Sequence, residues 1–106
     1  MKSLDLSSFP FALAAALLLV SCGKQVKAAT PDDVARAAIA AAVADPARPE
    51  ADRKRDELRK PDAMLAFMQV RPGLSVFDVE AGDGYLTELF SRAVGNQGSV
   101  VMQNPK

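Results

Sequence analysis

The stretch Val76–Tyr85, VFDVEAGDGY, holds the residues whose types and spacing best suit a chemical task. A short apolar run ends at Asp78, and Gly82 and Gly84 follow with one residue between them. Glycines in a loop between a strand and a helix let a ligand approach the main chain, and the helix N-terminus then presents free N–H groups. Asp78 can accept hydrogen bonds from loop amides or from a ligand cation. The stretch therefore predicts a binding loop for a nucleotide-like cofactor.

The residues around this loop predict one strand–helix–strand unit. Leu74–Val79 is short, apolar and β-branched, which is typical of a buried parallel strand. Tyr85–Val94 carries its large apolar residues on one helical face, and Gly95 is well placed to cap that helix. Ser99–Gln103 begins a second strand, which such a unit places parallel and adjacent to the first. The predicted fold class is therefore α/β.

A helix is predicted upstream over Pro31–Ala44. Thr30 supplies a hydroxyl cap, and a proline and two aspartates follow in the first turn. Most of its apolar side chains are alanines, which favour a helix but bury little area. We therefore interpret it as a surface helix or spacer in preference to a partner-binding helix.

Two further segments lie between that helix and the loop. Glu50–Lys60 is almost wholly charged, which favours a solvated helix. The alternative is that an upstream arginine reaches over a ligand site, the candidates being Arg48, Arg53 and Arg59. Pro61–Val70 predicts another helix, whose apolar stripe consists of Leu65 and Met68, with Met64 and Phe67 as further candidates.

The composition excludes several classes of function. Lys plus Arg and Asp plus Glu both number 13 in 106 residues, so neutral charge gives no reason to expect a nucleic-acid partner. The chain has no histidine, which removes the commonest general base and metal ligand. Its single cysteine, Cys22, excludes an internal disulfide and a cysteine-cluster metal site, and we predict no metal.

The N-terminus predicts export. The apolar run Phe11–Val20 is shorter than the roughly 20 residues of a membrane span and fits a signal peptide. Leu19–Gly23, LVSCG, resembles the lipobox of bacterial lipoproteins. The thiol of Cys22 would then carry a lipid, and the signal peptide would be cleaved after Ser21. The alternatives are a cleaved signal peptide with an incidental cysteine and an uncleaved apolar helix. We expect an exported chain, lipid-anchored through Cys22 to a bacterial membrane on its periplasmic side.

The sequence VFDVEAGDGYLTELFSRAVGNQGSVVMQNPK resembles the first motif and second strand of class I S-adenosylmethionine-dependent methyltransferases. The preceding ARPEADRKRDELRKPDAMLAFMQVRPGLSV is similar to a group of predicted exported bacterial methyltransferases. The resemblance implies an incomplete Rossmann-like fold with S-adenosylmethionine as cofactor. Together with the N-terminal patterns, it predicts three segments: a signal peptide at 1–21, a tether and alanine-rich helix at 22–49, and the N-terminal part of a methyltransferase domain at 50–106.

The resemblance also implies roles for the matched residues. Asp78 corresponds to the acid at the end of the first strand, and Tyr85 opens the helix beneath the cofactor. The loop that wraps the methionine portion and ribose corresponds to Ala81, Gly82 and Gly84. The residues that would receive the methyl acceptor and carry catalysis lie on later strands in the family, so none is assigned here.

Two positions depart from the family pattern. Asn104 aligns with the acid that binds both ribose hydroxyls, and an amide lacks the charge-assisted strength of a carboxylate. Glu80 stands where the family has glycine, so its side chain can crowd the cofactor or force an unfavourable φ. One hypothesis is that the Glu80 carboxylate is tolerated near the cofactor's sulfonium, and the other is that the site is weakened.

Two alternatives to an active methyltransferase stay open. A nicotinamide-binding loop needs a third glycine, which would fall at Thr87, and the ribose acid is also missing. A non-enzymatic envelope lipoprotein would use the charged segment and the βαβ unit for protein contacts. Because only two strands are present, we expect a truncated methyltransferase with weak or no activity.

Overall fold

The computed structural model describes residues 23–24 and 26–106. The predicted signal peptide and the predicted lipidation site, Cys22, lie outside the described residues. Within the described part, no helix combines the length and apolarity needed to cross a bilayer.

The chain has the predicted α/β fold, in which several helices precede one βαβ unit. The two strands form a parallel sheet, with Phe77 opposite Val101, and a helix connects them. This arrangement is consistent with part of a Rossmann-like methyltransferase fold. The elements in chain order are α1 (Pro31–Ala44), α2 (Glu50–Arg53), α3 (Asp56–Arg59), α4 (Pro61–Phe67), β1 (Ser75–Val79), α5 (Tyr85–Val94), a 3₁₀ turn (Gly95–Gln97) and β2 (Ser99–Gln103).

Helix α1 begins and ends where the sequence predicts. Its start is marked by a capping box between Thr30 and Asp33. The Thr30 hydroxyl accepts a hydrogen bond from the Asp33 N–H, and an Asp33 carboxylate oxygen accepts one from the Thr30 N–H. The helix packs against α4 and α5 and buries Ile39 and Ala42 in the core. Helix α1 is therefore a surface helix, one of the two readings that the sequence favours, but it packs on the core and is not a detached spacer.

The sequence favoured one solvated helix for the charged segment, and the prediction of a single helix is wrong. The segment forms two separate short helices, α2 and α3, and α3 ends where Lys60 adopts a left-handed conformation, φ 48°, before Pro61 starts α4. Helix α4 stops at Phe67, short of the predicted Val70, because Gln69 is also left-handed, φ 56°. Leu65 is buried as predicted, but Phe67 is 88% exposed and does not join the apolar stripe.

One hydrophobic core joins the helices to the sheet. Helix α5 lies at its centre, with α1 against one side and the two strands against another, and α4 packs against α1. The close approach of α5 to the start of β2 needs Gly98, since a Cβ there would lie 2.5 Å from the Val94 Cβ. The buried apolar residues are Ile39, Ala42, Leu65, Val70, Tyr85, Leu89, Phe90, Ala93 and Val94.

The sheet is covered on one face only. Val76 and Val100 pack against the core, whereas Phe77, Val79 and Val101 on the other face are 63%, 59% and 57% exposed. The prediction of a buried strand is thus correct for one face of β1 and wrong for the other. No second layer of described residues covers the outer face.

Candidate cofactor-binding site

The loop between β1 and α5 is tied to the end of β2 by three hydrogen bonds. The Ala81 N–H donates to the Gln103 carbonyl at 3.1 Å. The Gly82 N–H donates to Asn104 Oδ1 at 2.8 Å, and Asn104 Nδ2 donates back to the Gly82 carbonyl at 3.1 Å. The Asn104 amide therefore pairs with the main chain of Gly82 in both directions and holds the loop at the carboxyl ends of the strands.

Gly82 and Gly84 both have the left-handed conformations that favour glycine, with φ of 61° and 85°. Gly84 caps α5, whose first N–H groups face the loop. A Cβ at Gly84 would meet no atom within 4 Å, and one at Gly82 would lie 4.0 Å from the Glu80 carbonyl oxygen. No neighbouring atom therefore crowds either glycine, although the N–H groups of Gly82 and Gly84 already donate to Asn104 Oδ1 and to the Ala81 carbonyl.

Glu80 shares this left-handed conformation without being a glycine, with φ of 57°. For an L-residue this costs about 1 kcal/mol, so the expectation that a side chain here forces an unfavourable φ is confirmed. The side chain is exposed and makes no hydrogen bond or ion pair with any other described residue.

An open cavity of about 510 Å³ lies beside the loop at the carboxyl ends of the strands, lined by Glu80, Gly82, Asn104 and Pro105. Small-molecule sites commonly have volumes of about 300–1,000 Å³. Three of the predicted cofactor-binding residues, Glu80, Gly82 and Asn104, thus meet at one cavity.

Asp78 has a different partner from those expected. Its carboxylate accepts a hydrogen bond from the Thr87 hydroxyl at 2.6 Å, which ties the end of β1 to the first turn of α5. It therefore contacts the helix and not the loop amides. Thr87 is also the position at which a nicotinamide loop would have its third glycine, and here its side chain has a structural partner.

Tyr85 opens α5 as predicted, but its side chain points towards the upstream helices. The ring is 1% exposed, and its hydroxyl donates to Asp56 Oδ1 at 2.8 Å. Three guanidinium groups lie over the ring, with carbon-to-centroid distances of 5.8 Å for Arg48, 4.9 Å for Arg55 and 4.6 Å for Arg59. This cluster, which we call the arginine–tyrosine cluster, connects α2 and α3 to the base of the loop.

Arg48 is the most buried charged residue of the cluster, at 2% exposure. It donates two hydrogen bonds to Asp56, at 2.7 and 2.8 Å, and a third to the Val43 carbonyl at 2.7 Å. The hydrogen bond from Arg48 is the main reason that the pKa of Asp56 lies below its ordinary value. The alternative that Arg48 reaches over the ligand loop is therefore wrong.

Arg55 is the residue that does reach the loop, and the sequence analysis did not name it. It donates to Asp83 Oδ2 at 2.7 Å and also pairs with Asp52. The hydrogen bond from Arg55 is the largest cause of the lowered pKa of Asp83. Asp83 lies between the two loop glycines, so this ion pair links the charged segment to the candidate site. Its partners are 28 residues apart, beyond the reach of local sequence patterns.

The single tyrosine makes the cluster observable in solution. Burial, followed by the hydrogen bond to Asp56, raises the pKa of Tyr85 from 10.0 to about 12. The folded chain keeps the phenolic proton where the unfolded chain loses it, so this contribution to stability is complete below pH 10 and is lost as the pH rises to about 12. We expect the tyrosinate absorption to appear near pH 12, and at a lower pH in Asp56→Asn, which loses the hydrogen bond but keeps the burial. A midpoint near pH 10 in the unchanged chain would contradict the buried cluster.

Two comparisons with known proteins relate this βαβ unit to methyltransferases. The family profile of Protein-L-isoaspartate(D-aspartate) O-methyltransferase (PCMT) matches residues 59–104. A stretch of 38 residues is 47% identical to the Ubiquinone/menaquinone biosynthesis C-methyltransferase UbiE of Legionella pneumophila (strain Corby). That match covers 36% of this chain and 15% of the length of that protein. No solved structure matches the chain.

The chain therefore contains an S-adenosylmethionine-dependent methyltransferase-like region. The matched residues, 59–104, include the glycine loop, α5 and both strands. By resemblance, such regions use S-adenosylmethionine. Among residues 23–24 and 26–106, no three side chains of the metal-binding types cluster together.

Proposed function

We propose that the chain binds S-adenosylmethionine at the loop Glu80–Gly84 and contributes this site to methyl transfer. The observation that carries the proposal is the open space around Gly82, which lies beside a cavity at the carboxyl ends of two parallel strands. Ligands of open α/β sheets bind at this end of the strands. When bound, S-adenosylmethionine supplies a methyl group activated by a sulfonium.

The residues present fit the part of the cofactor that such a loop wraps. Main-chain N–H groups after Tyr85 in the first turn of α5 can donate to polar atoms of the ligand, whereas those of Gly84 and Tyr85 already donate to the Ala81 carbonyl and to Asp83 Oδ1. Glu80 and Asn104 bring polar side chains to the cavity, whose volume of about 510 Å³ suits a nucleoside. Because these contacts surround an open cavity from one side, we propose weak binding and slow methyl transfer for the chain alone.

The methyl acceptor is not part of the proposal. The two matched methyltransferases transfer to different atoms by their names, oxygen in one and carbon in the other. Methyl transfer is the property they share, so it is the property that we extend to this chain.

We also propose that the chain acts at the bacterial cell envelope. The apolar run Phe11–Val20 and the LVSCG sequence around Cys22 support a signal peptide and a lipid anchor on the periplasmic side. Expressed in a bacterium, the Cys22→Ser variant should leave the membrane fraction. Continued membrane association of that variant would contradict the anchor.

Calorimetric titration of S-adenosylmethionine into the full chain tests the binding site. We expect saturable heat, and we expect Gly82→Val to weaken binding by about tenfold or more because a branched side chain covers the open main chain. Gly73→Val is the matched control. Gly73 also has a positive φ, 82°, and open space around it, but it precedes β1 at the opposite end of the strand.

The two variants carry similar backbone strain, so a difference between them reports on the site. Equal affinity of Gly82→Val and Gly73→Val would contradict the placement of the cofactor. An absence of heat from the unchanged chain at millimolar cofactor would contradict the proposed function itself and favour a non-enzymatic lipoprotein.

A further inference from the structure

We propose that Glu80 is the residue that accepts the ribose hydroxyls of the cofactor in this chain, in place of residue 104. This inference rests on the proposed function and assigns one part of the ligand to one side chain. The resemblance instead assigned the ribose to Asn104 and treated Glu80 as an obstacle or a neighbour of the sulfonium.

Asn104 already has both of its polar atoms engaged. Its Oδ1 accepts from the Gly82 N–H and its Nδ2 donates to the Gly82 carbonyl, at 2.8 and 3.1 Å. Each of these atoms keeps one further position, a second lone pair on Oδ1 and a second N–H on Nδ2, so Asn104 can offer a diol only single hydrogen bonds from a neutral amide while it holds the loop. A carboxylate at position 104 could not form the same pair, because it has no N–H to offer the Gly82 carbonyl. Asn104 is therefore suited to holding the loop.

Glu80 is free to bind a ligand and is correctly placed for it. It lines the same cavity as Asn104, and it is the one carboxylate among the described residues that line it. Its side chain is exposed and has no hydrogen-bonding or ionic partner in the described part of the chain. Relative to the family pattern, the carboxylate has moved from the end of β2 to the end of β1 but faces the same cavity.

The chemistry of the ribose favours this assignment. Two neighbouring hydroxyls can each donate to one oxygen of a carboxylate, and such charge-assisted hydrogen bonds are stronger than those to a neutral amide. The backbone supports a functional role as well. Glu80 is held at φ 57°, where glycine would be unstrained, and left-handed non-glycine residues concentrate at ligand-binding sites.

A pair of ligands and a pair of proteins test the inference. Binding of adenosine and of dideoxyadenosine, which lacks both neighbouring ribose hydroxyls, is measured by NMR titration of the full chain and of Glu80→Gln. The glutamine keeps the size and backbone strain of Glu80, removes its charge and replaces one acceptor oxygen with an NH2 donor. Glu57→Gln is the control, because Glu57 is an exposed carboxylate on α3 that does not line the cavity.

We expect Glu80→Gln to weaken adenosine binding by about tenfold and to leave dideoxyadenosine binding unchanged. We expect Glu57→Gln to change neither. An equal loss for both ligands would overturn the inference, since the effect would then not depend on the ribose hydroxyls. No loss for either ligand would also overturn it.

S-adenosylmethionine and S-adenosylhomocysteine separate the ribose from the sulfonium. Both have the ribose hydroxyls, but only the first has the positively charged sulfonium, so we expect Glu80→Gln to weaken both by a similar factor. A loss confined to S-adenosylmethionine would overturn the inference in favour of a sulfonium contact. If the unchanged chain bound neither of them, the proposed function would fail, and that result is distinct from binding that Glu80→Gln leaves intact.

Discussion

Replacing Arg48 with methionine should lower the free energy of unfolding by about 3 kcal/mol. The guanidinium is almost wholly buried and donates to Asp56 and to the Val43 carbonyl. Methionine fills much of the space but donates no hydrogen bond. The Asp56 carboxylate, 21% exposed, would then lose its cation while remaining largely out of water. Removal of one partner of a buried pair is costly for this reason, even where replacement of both partners is not.

Urea unfolding of the two chains measures this difference. Lys54→Met is the matched control, because Lys54 pairs with Glu50 at 2.8 Å but both side chains are at least 70% exposed. An exposed pair contributes between about 0 and 1 kcal/mol, so the control should unfold almost as the unchanged chain does. Similar stabilities for Arg48→Met and Lys54→Met would contradict a structural role for the buried cluster.

Replacing Gly98 with alanine should destabilise the fold by about 3 kcal/mol, as overpacking does in a tight core. The added Cβ would lie 2.5 Å from the Val94 Cβ and 2.6 Å from the Leu74 carbonyl oxygen. The second contact is with the main chain, so rotation of a side chain cannot relieve it. Because Gly98 has an ordinary φ of −103°, the loss would come from packing and not from the backbone conformation.

Gly73→Ala separates these two causes. Gly73 has a φ of 82° and no atom within 4 Å of an added Cβ, so its replacement should cost about 1 kcal/mol through the backbone alone. Thermal unfolding of both variants gives the comparison. If Gly98→Ala were no less stable than Gly73→Ala, the close packing of α5 against the start of β2 would be wrong.

The sequence predicted the elements whose signals are local. The bounds of α1, α5 and β2 agree with the structure because Thr30 and Gly95 mark helix ends and each segment has one clear periodicity. The sequence also predicted the loop, because two glycines with one residue between them favour positive φ angles, which both Gly82 and Gly84 adopt. The strained φ of Glu80 follows from the same comparison with the glycine pattern.

Contacts between distant residues could not be read in this way. The charged segment Glu50–Lys60 contains no buried residue, as its composition indicates, yet its Asp56 pairs with Arg48, a buried arginine that precedes the segment. The pairing of Arg55 with Asp83 and of Asn104 with Gly82 each joins residues more than 20 apart. Such pairs depend on how the elements pack, which no local periodicity encodes.

The exposed outer face of the sheet has the same origin. A strand with apolar residues on both faces predicts two covering layers. The sequence does not indicate which of the two faces the described residues cover. In the structure Val76 packs against the core, whereas Phe77 and Val79 on the other face are exposed.

The most direct test of the account is to follow main-chain amide resonances by NMR while S-adenosylmethionine is added to the isotope-labelled full chain. The account predicts saturable shifts at Ala81, Gly82 and Gly84, with little change at Gly73 and Gly95 near the opposite end of the strands. Shifts centred on those two glycines, or no saturable shift at the loop, would contradict a cofactor site at the carboxyl ends of the strands.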